Sequence, residues 1–250
     1  MAVPTDKHRE VAGRLLEKGL HLLVEKPIAT TTAEAEALVE LARNRNLILQ
    51  VGHVERFNPV LDFLDKSSAR PVFIEAHRLG IYPVPLLPGM KPRGTEVSVI
   101  LDLMIHDLEV VLHLVRSKVK EIHAVGVPIL SPTEDIANVR LLFENGCVAN
   151  ITASRVSAKR MRKIRCFMDD FSYLSLDYQN QSGEVYRKGG LLGITRESIA
   201  LEKGEPLARE LRSFVQCVAN HGEPVVSGEH AAGALKLAID IHQRLREGPS

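Results

Sequence analysis

The chain has 250 residues, 45% apolar and 25% charged, the balance of a globular protein long enough for one large domain or two ordinary ones. A formal net charge of +1 leaves no bulk field to draw it to nucleic acid or an anionic membrane, and no apolar run approaches the length that spans a bilayer. The opening Met-Ala-Val-Pro-Thr has no basic head before an apolar stretch, so no secretory signal is read there, and the three scattered cysteines (Cys147, Cys166, Cys217) fit neither a disulfide framework nor a metal spacing; a reduced, cytoplasmic setting is the default.

Along the chain, Ala2–Val3 reads as the end of a strand cut off by Pro4. Residues 7 to 18 read as a helix, with Val11, Ala12, Leu15 and Leu16 on one face and Gly19 placed to end it. Leu20 to Val24 suits a short buried parallel strand. Thr31-x-x-Glu34 is a capping box ahead of a helix to about Arg43. Leu47 to Val51 is a further apolar strand, closed by Gly52. Strand, helix, strand, helix, strand with short connections predicts a parallel sheet with helices packed on it, the C-terminal half of a Rossmann-type domain over residues 1–57. No G-x-G-x-x-G turn is found, and Gly189-Gly190-Leu191-Leu192-Gly193 has the wrong spacing. The expectation is therefore a truncated product, a misplaced start or a separately encoded half, weak or inactive as an enzyme and with an uncovered sheet edge.

From residue 58 the pattern changes to that of an α+β domain extending to residue 250. A helix over 60–66 and a strand over Val72–Leu79 precede a stretch from Ile81 to Gly94 with four prolines and two glycines, read as a loop. A helix follows over 98–116, then strands near 119–127, 136–143, 147–154, 160–168 and 172–178. Glu144-Asn145-Gly146 is a hairpin signal between two alternating runs. Helices over 206–220 and 228–246 finish the chain. Strands joined by turns predict a large, mainly antiparallel open sheet with helices on one face.

Four segments carry candidate chemistry. Glu25-Lys26-Pro27 follows a buried parallel strand, where ligands of open α/β sheets bind, and Pro27 keeps Lys26 extended. A lysine there can donate to a substrate hydroxyl and favour alkoxide character as hydride leaves; the plainer use is a strand-end salt bridge. On the helix over 98–116, Asp102 and His106 stand four apart on a polar stripe with Glu109 and His113, opposite an apolar stripe of Leu101, Met104, Ile105, Leu108, Val111, Leu112 and Val115. An aspartate beside an imidazole raises its pKa and orients it, as a general base requires; the plainer use is a solvated helix face. A metal site is a rival for this pair, but no second ligand cluster has a matching spacing, and none is expected. In Gly52-His53-Val54-Glu55-Arg56-Phe57-Asn58-Pro59, Arg56 has donors suited to an anionic or hydroxylated substrate, or to a salt bridge between domains. The basic run Arg155, Lys159, Arg160, Arg162, Lys163 and Arg165 lacks interleaved aromatics, so it reads as a solvated strand face rather than a nucleic-acid surface, with a phosphate contact as a lesser alternative.

Val3-Pro4-Thr5-x-x-His8, Gly19 through Glu25-Lys26-Pro27, Gly52-His53 with Arg56-Phe57-x-Pro59, and Asp102-x-x-x-His106-Asp107 stand in an order and spacing that resemble the Gfo/Idh/MocA oxidoreductases over essentially the whole chain. The resemblance implies NAD or NADP as cofactor and a small-molecule sugar or nucleotide-sugar substrate. It also implies a homo-oligomer contacting through the open sheet; charge and composition leave neither nucleic acid nor membrane as an expected partner. It implies that Lys26 is the active-site lysine in a bond to Pro27 that can be cis, and that His106 is the acid/base oriented by Asp102. Pro4, Thr5, His8, Glu25, Lys26 and Pro27 line the nicotinamide end, and Arg56 and Arg155 meet substrate. Val97-Ser98-Val99-Ile100 replaces a glycine pair common in the family; with Leu101 to Asp107 and Ala153-Ser154-Arg155 it is similar to a branch acting on nucleotide-linked amino sugars. The other class of function in view is a non-catalytic binding or scaffold protein that keeps the family fold.

Overall fold

The computed structural model describes residues 1–85, 94–189 and 193–247. The readings of 81–94 as a loop and of the glycine stretch 189–193 therefore fall in part outside the described residues. The chain divides into two compact units, Met1–Asn58 with Gly204–Ile239, and Pro59–Lys203 with the chain from Asp240.

In the first unit α1 (His8–Glu17) buries Ala12 and Leu16 and gives way to Gly19, whose φ of +79° suits a residue without a side chain. Strand β1 (Leu22–Glu25) pairs in parallel with β2 (Leu49–Gly52), in register from Leu22↔Leu49 to Glu25↔Gly52. Between them α2 (Thr32–Asn44) starts on the expected capping box: the Thr31 hydroxyl accepts from the Glu34 amide and the Glu34 carboxylate accepts from the Thr31 amide, both at 3.2 Å. Ala2–Val3 does not form a strand. The Met1 flank instead lies along β1, its carbonyl accepting from the Glu25 amide at 3.0 Å and its amino group donating to the Leu23 carbonyl.

The expected assignment of everything after residue 57 to one domain is corrected by α5 (Pro206–Asn220) and the first part of α6 (Gly228–Glu247), which cluster with the first unit. The reason is a sheet edge. The Val51 amide donates to the Val226 carbonyl at 3.1 Å and Gln50 forms an antiparallel bridge with Ser227, so the segment ahead of α6 covers the free side of β2.

The second unit opens with α3 (Pro59–Asp65) and is built on an eight-stranded sheet in the order β10-β9-β8-β7-β3-β6-β5-β4. The strands are β3 (Pro71–Leu79), β4 (Val119–Val127), β5 (Ile136–Phe143), β6 (Val148–Ser154), β7 (Met161–Met168), β8 (Tyr173–Asp177), β9 (Ser182–Gly189) and β10 (Gly193–Ser198). All neighbours are antiparallel except β3 and β6. The Asn-Gly signal forms the β5–β6 turn, with Gly146 at φ +85° and its amide on the Phe143 carbonyl at 3.0 Å.

Alternation along the strands sorts the side chains. Ile74, Ala76, Val139, Leu141, Ala149, Ile151, Ile164 and Cys166 are buried on one face, beneath a π-helical turn (Ile100–Met104) and α4 (Ile105–Val115), which bury Ile100, Met104, Ile105, Leu108 and Val111. The other face carries ion pairs and an aromatic row: Phe73, Phe167, Tyr173 and Tyr186, with centroids 5.5, 4.7 and 5.1 Å apart. Among the described residues no helix is long and apolar enough to cross a membrane.

Candidate active site

At the carboxyl ends of β1 and β2, Glu25-Lys26-Pro27 and Gly52-His53 form one rim, the ligand side of a parallel sheet. The Lys26–Pro27 peptide is cis. Pro4 and Glu25 are exposed and Thr5, Lys26 and Pro27 half-buried, so this part of the rim is open to a ligand. A Cβ on Gly52 would come within 3.1 Å of Glu25 Oε2; glycine there leaves the Glu25 carboxylate room across the strand end. These accessible groups fit the nicotinamide end of a dinucleotide, a polar ring with an amide to hold.

His8 sits differently from its expected place on the cofactor surface. It is buried, its Nδ1 2.8 Å from the Pro27 carbonyl and its Nε2 3.0 Å from the Val3 carbonyl. The ring ties the Pro4–Thr5 segment to the Lys26–Pro27 turn and so shapes the rim from behind. Arg56 lies in a 3-10 turn (Val54–Phe57) on which α5 packs, Arg209 donating to the Phe57 carbonyl at 3.0 Å. At 7% exposure Arg56 is buried rather than projecting freely.

Two groups without an assigned role in the sequence reading belong to this rim. Burial, then the charges of Lys26 and Arg56, push the buried His53 imidazole down to about 3, so it is neutral between two cations. On α5, burial and the nearby Glu25 charge push the Glu210 carboxyl up to about 7, at 2% exposure. The histidine in Gly52-His53 was a visible signal; nothing local marked Glu210, which lies 185 residues from Glu25.

In the second unit the regular helix expected over 98–116 is replaced by the π turn leading into α4. The Ile105 amide donates to the Ile100 carbonyl, one residue further back than in an α-helix, after the Ser98 carbonyl has accepted from both Leu101 and Asp102 at 3.0 and 3.1 Å. Asp102 therefore lies in the π turn and His106 in the first turn of α4, not on one α-helical ladder. Such turns are rare and concentrate at functional sites. Asp102 and His106 are half-buried, Asp107 and Glu109 fully so, which rules out a plainly solvated polar stripe. Asp107 receives a two-pronged pair from Arg78 of β3, Nε to Oδ2 at 2.7 Å and Nη2 to Oδ1 at 3.2 Å, both residues buried. That pair anchors the residue next to His106. At the far end of α4, His113 meets Asp65 at 2.6 Å.

Arg155 departs from its expected substrate contact. Its Nε donates to Asp135 at 2.7 Å, its Nη1 to the Gly94 and Val97 carbonyls, and its Nη2 to Ser131, Thr133 and the Glu134 carbonyl. All its donors are engaged internally at 3% exposure. Of the rest of the basic run, Lys159 and Arg160 are exposed ahead of β7 rather than on it, and Arg162 is exposed on the strand, while Lys163 pairs with Asp177 at 3.6 Å and Arg165 with Glu75 at 3.5 Å. Among the described residues no group of three or more His, Cys, Asp and Glu is placed to hold a metal ion. A cavity of about 530 Å³ in the first unit lies at the amino ends of β1 and β2, away from Lys26. In its lining Arg43 pairs with Glu229 at 3.1 Å and His21 accepts from the Ile48 amide at 2.9 Å.

Comparison with known proteins follows the same division. Residues 1–53 match the model of an oxidoreductase family with an NAD-binding Rossmann fold, and residues 71–173 match that of the GFO/IDH/MocA C-terminal domain. UDP-N-acetylglucosamine 3-dehydrogenase of Acidithiobacillus ferrooxidans is 34% identical over 247 residues, 96% of this chain and 76% of that protein. A crystal form of that enzyme superposes with a TM-score of 0.88 at 34% identity, over 96% of this chain and 75% of the other. Levoglucosan dehydrogenase in complex with NADH and L-sorbose superposes at 0.85 with 16% identity, over 98% and 76% of the two chains, a likeness of fold alone.

Proposed function

The chain belongs to the Gfo/Idh/MocA family of oxidoreductases, and on that premise we propose that it passes a hydride between NAD or NADP and a secondary alcohol of a nucleotide-linked sugar. The observation that carries the reading is the presence of Lys26 on the strand-end rim, and of Asp102 and His106 in and just after the π turn, in a chain 34% identical to a sugar-nucleotide dehydrogenase. Nicotinamide supplies the hydride acceptor or donor when bound, held by Pro4, Thr5, Glu25, Lys26 and Pro27. The Lys26 ammonium donates a hydrogen bond to the alcohol oxygen and favours its alkoxide character. His106 takes the hydroxyl proton on its imidazole and returns it in the reverse direction, oriented by Asp102. His53 stays neutral near pH 7, so its titration adds no second positive charge beside the Lys26 ammonium in that range. Arg56, buried at the same rim, adds positive charge near His53.

The reading places the protein in the cytoplasm, its three cysteines free and buried, and gives it a homo-oligomeric state through the sheet face that bears Phe73, Phe167, Tyr173 and Tyr186. The test is nicotinamide reduction with UDP-N-acetylglucosamine, following absorbance for each of NAD and NADP. Lys26→Met and His106→Asn should each lower turnover roughly a hundredfold or more while leaving the far-UV spectrum intact. Two variants as fast as the parent chain would end the mechanism, and NADH and NADPH titrations of both variants would separate lost chemistry from lost cofactor binding.

A further inference from the structure

The segment that leads into the π turn is held by an ionic hub. Asp135, at 0% exposure, accepts from the amides of Ile129, Leu130 and Ser131 at 2.8, 2.6 and 2.9 Å, from the Ser131 hydroxyl and from Arg155 Nε at 2.7 Å. Burial by itself would raise this carboxyl; the bonds from Ser131, Arg155, Leu130 and Ile129 outweigh it and hold the group well below the usual carboxylate range. Asp135 is thus a fixed anion, and Arg155 is fixed on it.

From that anchor the guanidinium reaches outward. Nη1 donates to the Gly94 carbonyl at 2.5 Å and to the Val97 carbonyl at 2.9 Å. The Thr133 hydroxyl, itself an acceptor from Arg155 at 2.8 Å, lies 2.9 Å from the Val97 carbonyl and 3.3 Å from that of Thr95. The Val99 amide closes the set on the Glu134 carbonyl at 3.0 Å. The carbonyls of Gly94, Thr95 and Val97 and the amide of Val99 are therefore tied to Arg155 and the 131–135 loop. This segment touches Asp102 directly. Gly94 has φ +82°, and a Cβ built there would stand 2.8 Å from Asp102 Oδ2, so the carboxylate rests against the glycine backbone.

We infer that Arg155 is a positioning residue of the active site: anchored on Asp135, it fixes Gly94 to Val97 against the Asp102 carboxylate and thereby sets how Asp102 faces His106. The inference rests on the reading of Asp102 and His106 as an acid/base pair and goes beyond it, because it gives the arginine expected to bind substrate a different task. It also accounts for the arginine chemically: one lysine ammonium cannot span an anion and two backbone carbonyls in the directions a planar guanidinium covers.

The test reads the His106 imidazole titration by NMR in the whole chain, its signal assigned by its loss in His106→Gln. The titratable and charged groups on the elements around this turn include Asp102, Asp107, Glu109 and His113 on its own helix, Arg78 and His77 of β3 near Asp107, Glu96 in the preceding segment, Glu134 with His242, and the Arg155–Asp135 pair; the three positioning variants leave the carboxylates, the histidines and Arg78 in place. Asp102→Asn should lower the His106 midpoint by roughly one unit, the effect of removing a neighbouring carboxylate. Arg155→Lys, Gly94→Ala and Thr133→Val should move it in the same direction, and none should add to Asp102→Asn in a double variant. Should Arg155→Lys fail to fold, Gly94→Ala and Thr133→Val carry the test. A His106 midpoint that follows Asp102→Asn but ignores all folded positioning variants overturns the inference alone. A midpoint indifferent to Asp102→Asn overturns the acid/base reading beneath it.

Discussion

Glu210 offers a measurement in which the sign as well as the size is set by the structure. Its carboxyl is pushed from 4.5 up to about 7 by burial and by the charge of Glu25, and only 2% of the residue is exposed. The gap is about 2.5 units, which at about 1.4 kcal/mol per unit corresponds to about 3 kcal/mol. A folded chain that holds this proton more tightly than the unfolded chain gains stability that is complete below pH about 4.5 and lost as the pH rises through about 7. Glu210→Gln keeps the size and neutrality of the protonated side chain at every pH. The stability of the variant relative to the parent should therefore rise by about 3 kcal/mol between pH about 4.5 and pH about 8. Urea denaturation followed by far-UV circular dichroism is the assay, since the chain has no tryptophan. Taking the difference between the two proteins at each pH cancels the other titrating groups, His53 among them. Two stability curves that stay parallel across that range would show that Glu210 ionises as an ordinary exposed glutamate and that the account of its burial is wrong.

His53 acts with the opposite slope: its folded pKa of about 3 lies below the ordinary 6.5, so its contribution is present above pH about 6.5 and lost as the pH falls toward 3. His53→Gln should flatten the acid limb of the same urea series, by an amount with a ceiling of about 5 kcal/mol; an unchanged acid limb would count against a neutral buried imidazole. Arg78→Met leaves Asp107 buried beside an apolar side chain and should cost about 3–5 kcal/mol, most of it recovered in Arg78→Met/Asp107→Leu; urea midpoints of both report the pair, and a loss under about 1 kcal/mol in the single variant would contradict it. Thr31→Ala removes the hydroxyl half of the α2 capping box and should lower stability by about 1 kcal/mol in the same assay.

The site was legible where a residue's role depends on its own neighbours in the chain. Lys26 could be placed at a strand end because an apolar run precedes it and a proline follows, and that is where β1 ends. For Asp102 and His106, α-helical periodicity gave the wrong ladder: the Ser98 carbonyl takes two amides and the following turn opens into a π turn, a backbone arrangement with no residue signature. Arg155 was misread for a related reason. An arginine beside a strand end offers the same five donors whether they face a substrate or an interior, and the acceptors that claimed them come from residues 94–97 and 131–135.

The sequence by itself determined the local pieces: the Thr31/Glu34 cap, the Gly146 hairpin, the two-residue alternation of the sheet and the apolar core of α4, each set by steric and hydrogen-bonding preferences within a few residues. Only the tertiary structure decided that β3 lies between β6 and β7, that Val226 covers the edge of β2, and that Glu210 comes to Glu25. Those outcomes turn on which distant backbone edges and buried charges find one another, and edge pairing and desolvation act through space, leaving no periodic trace along the chain.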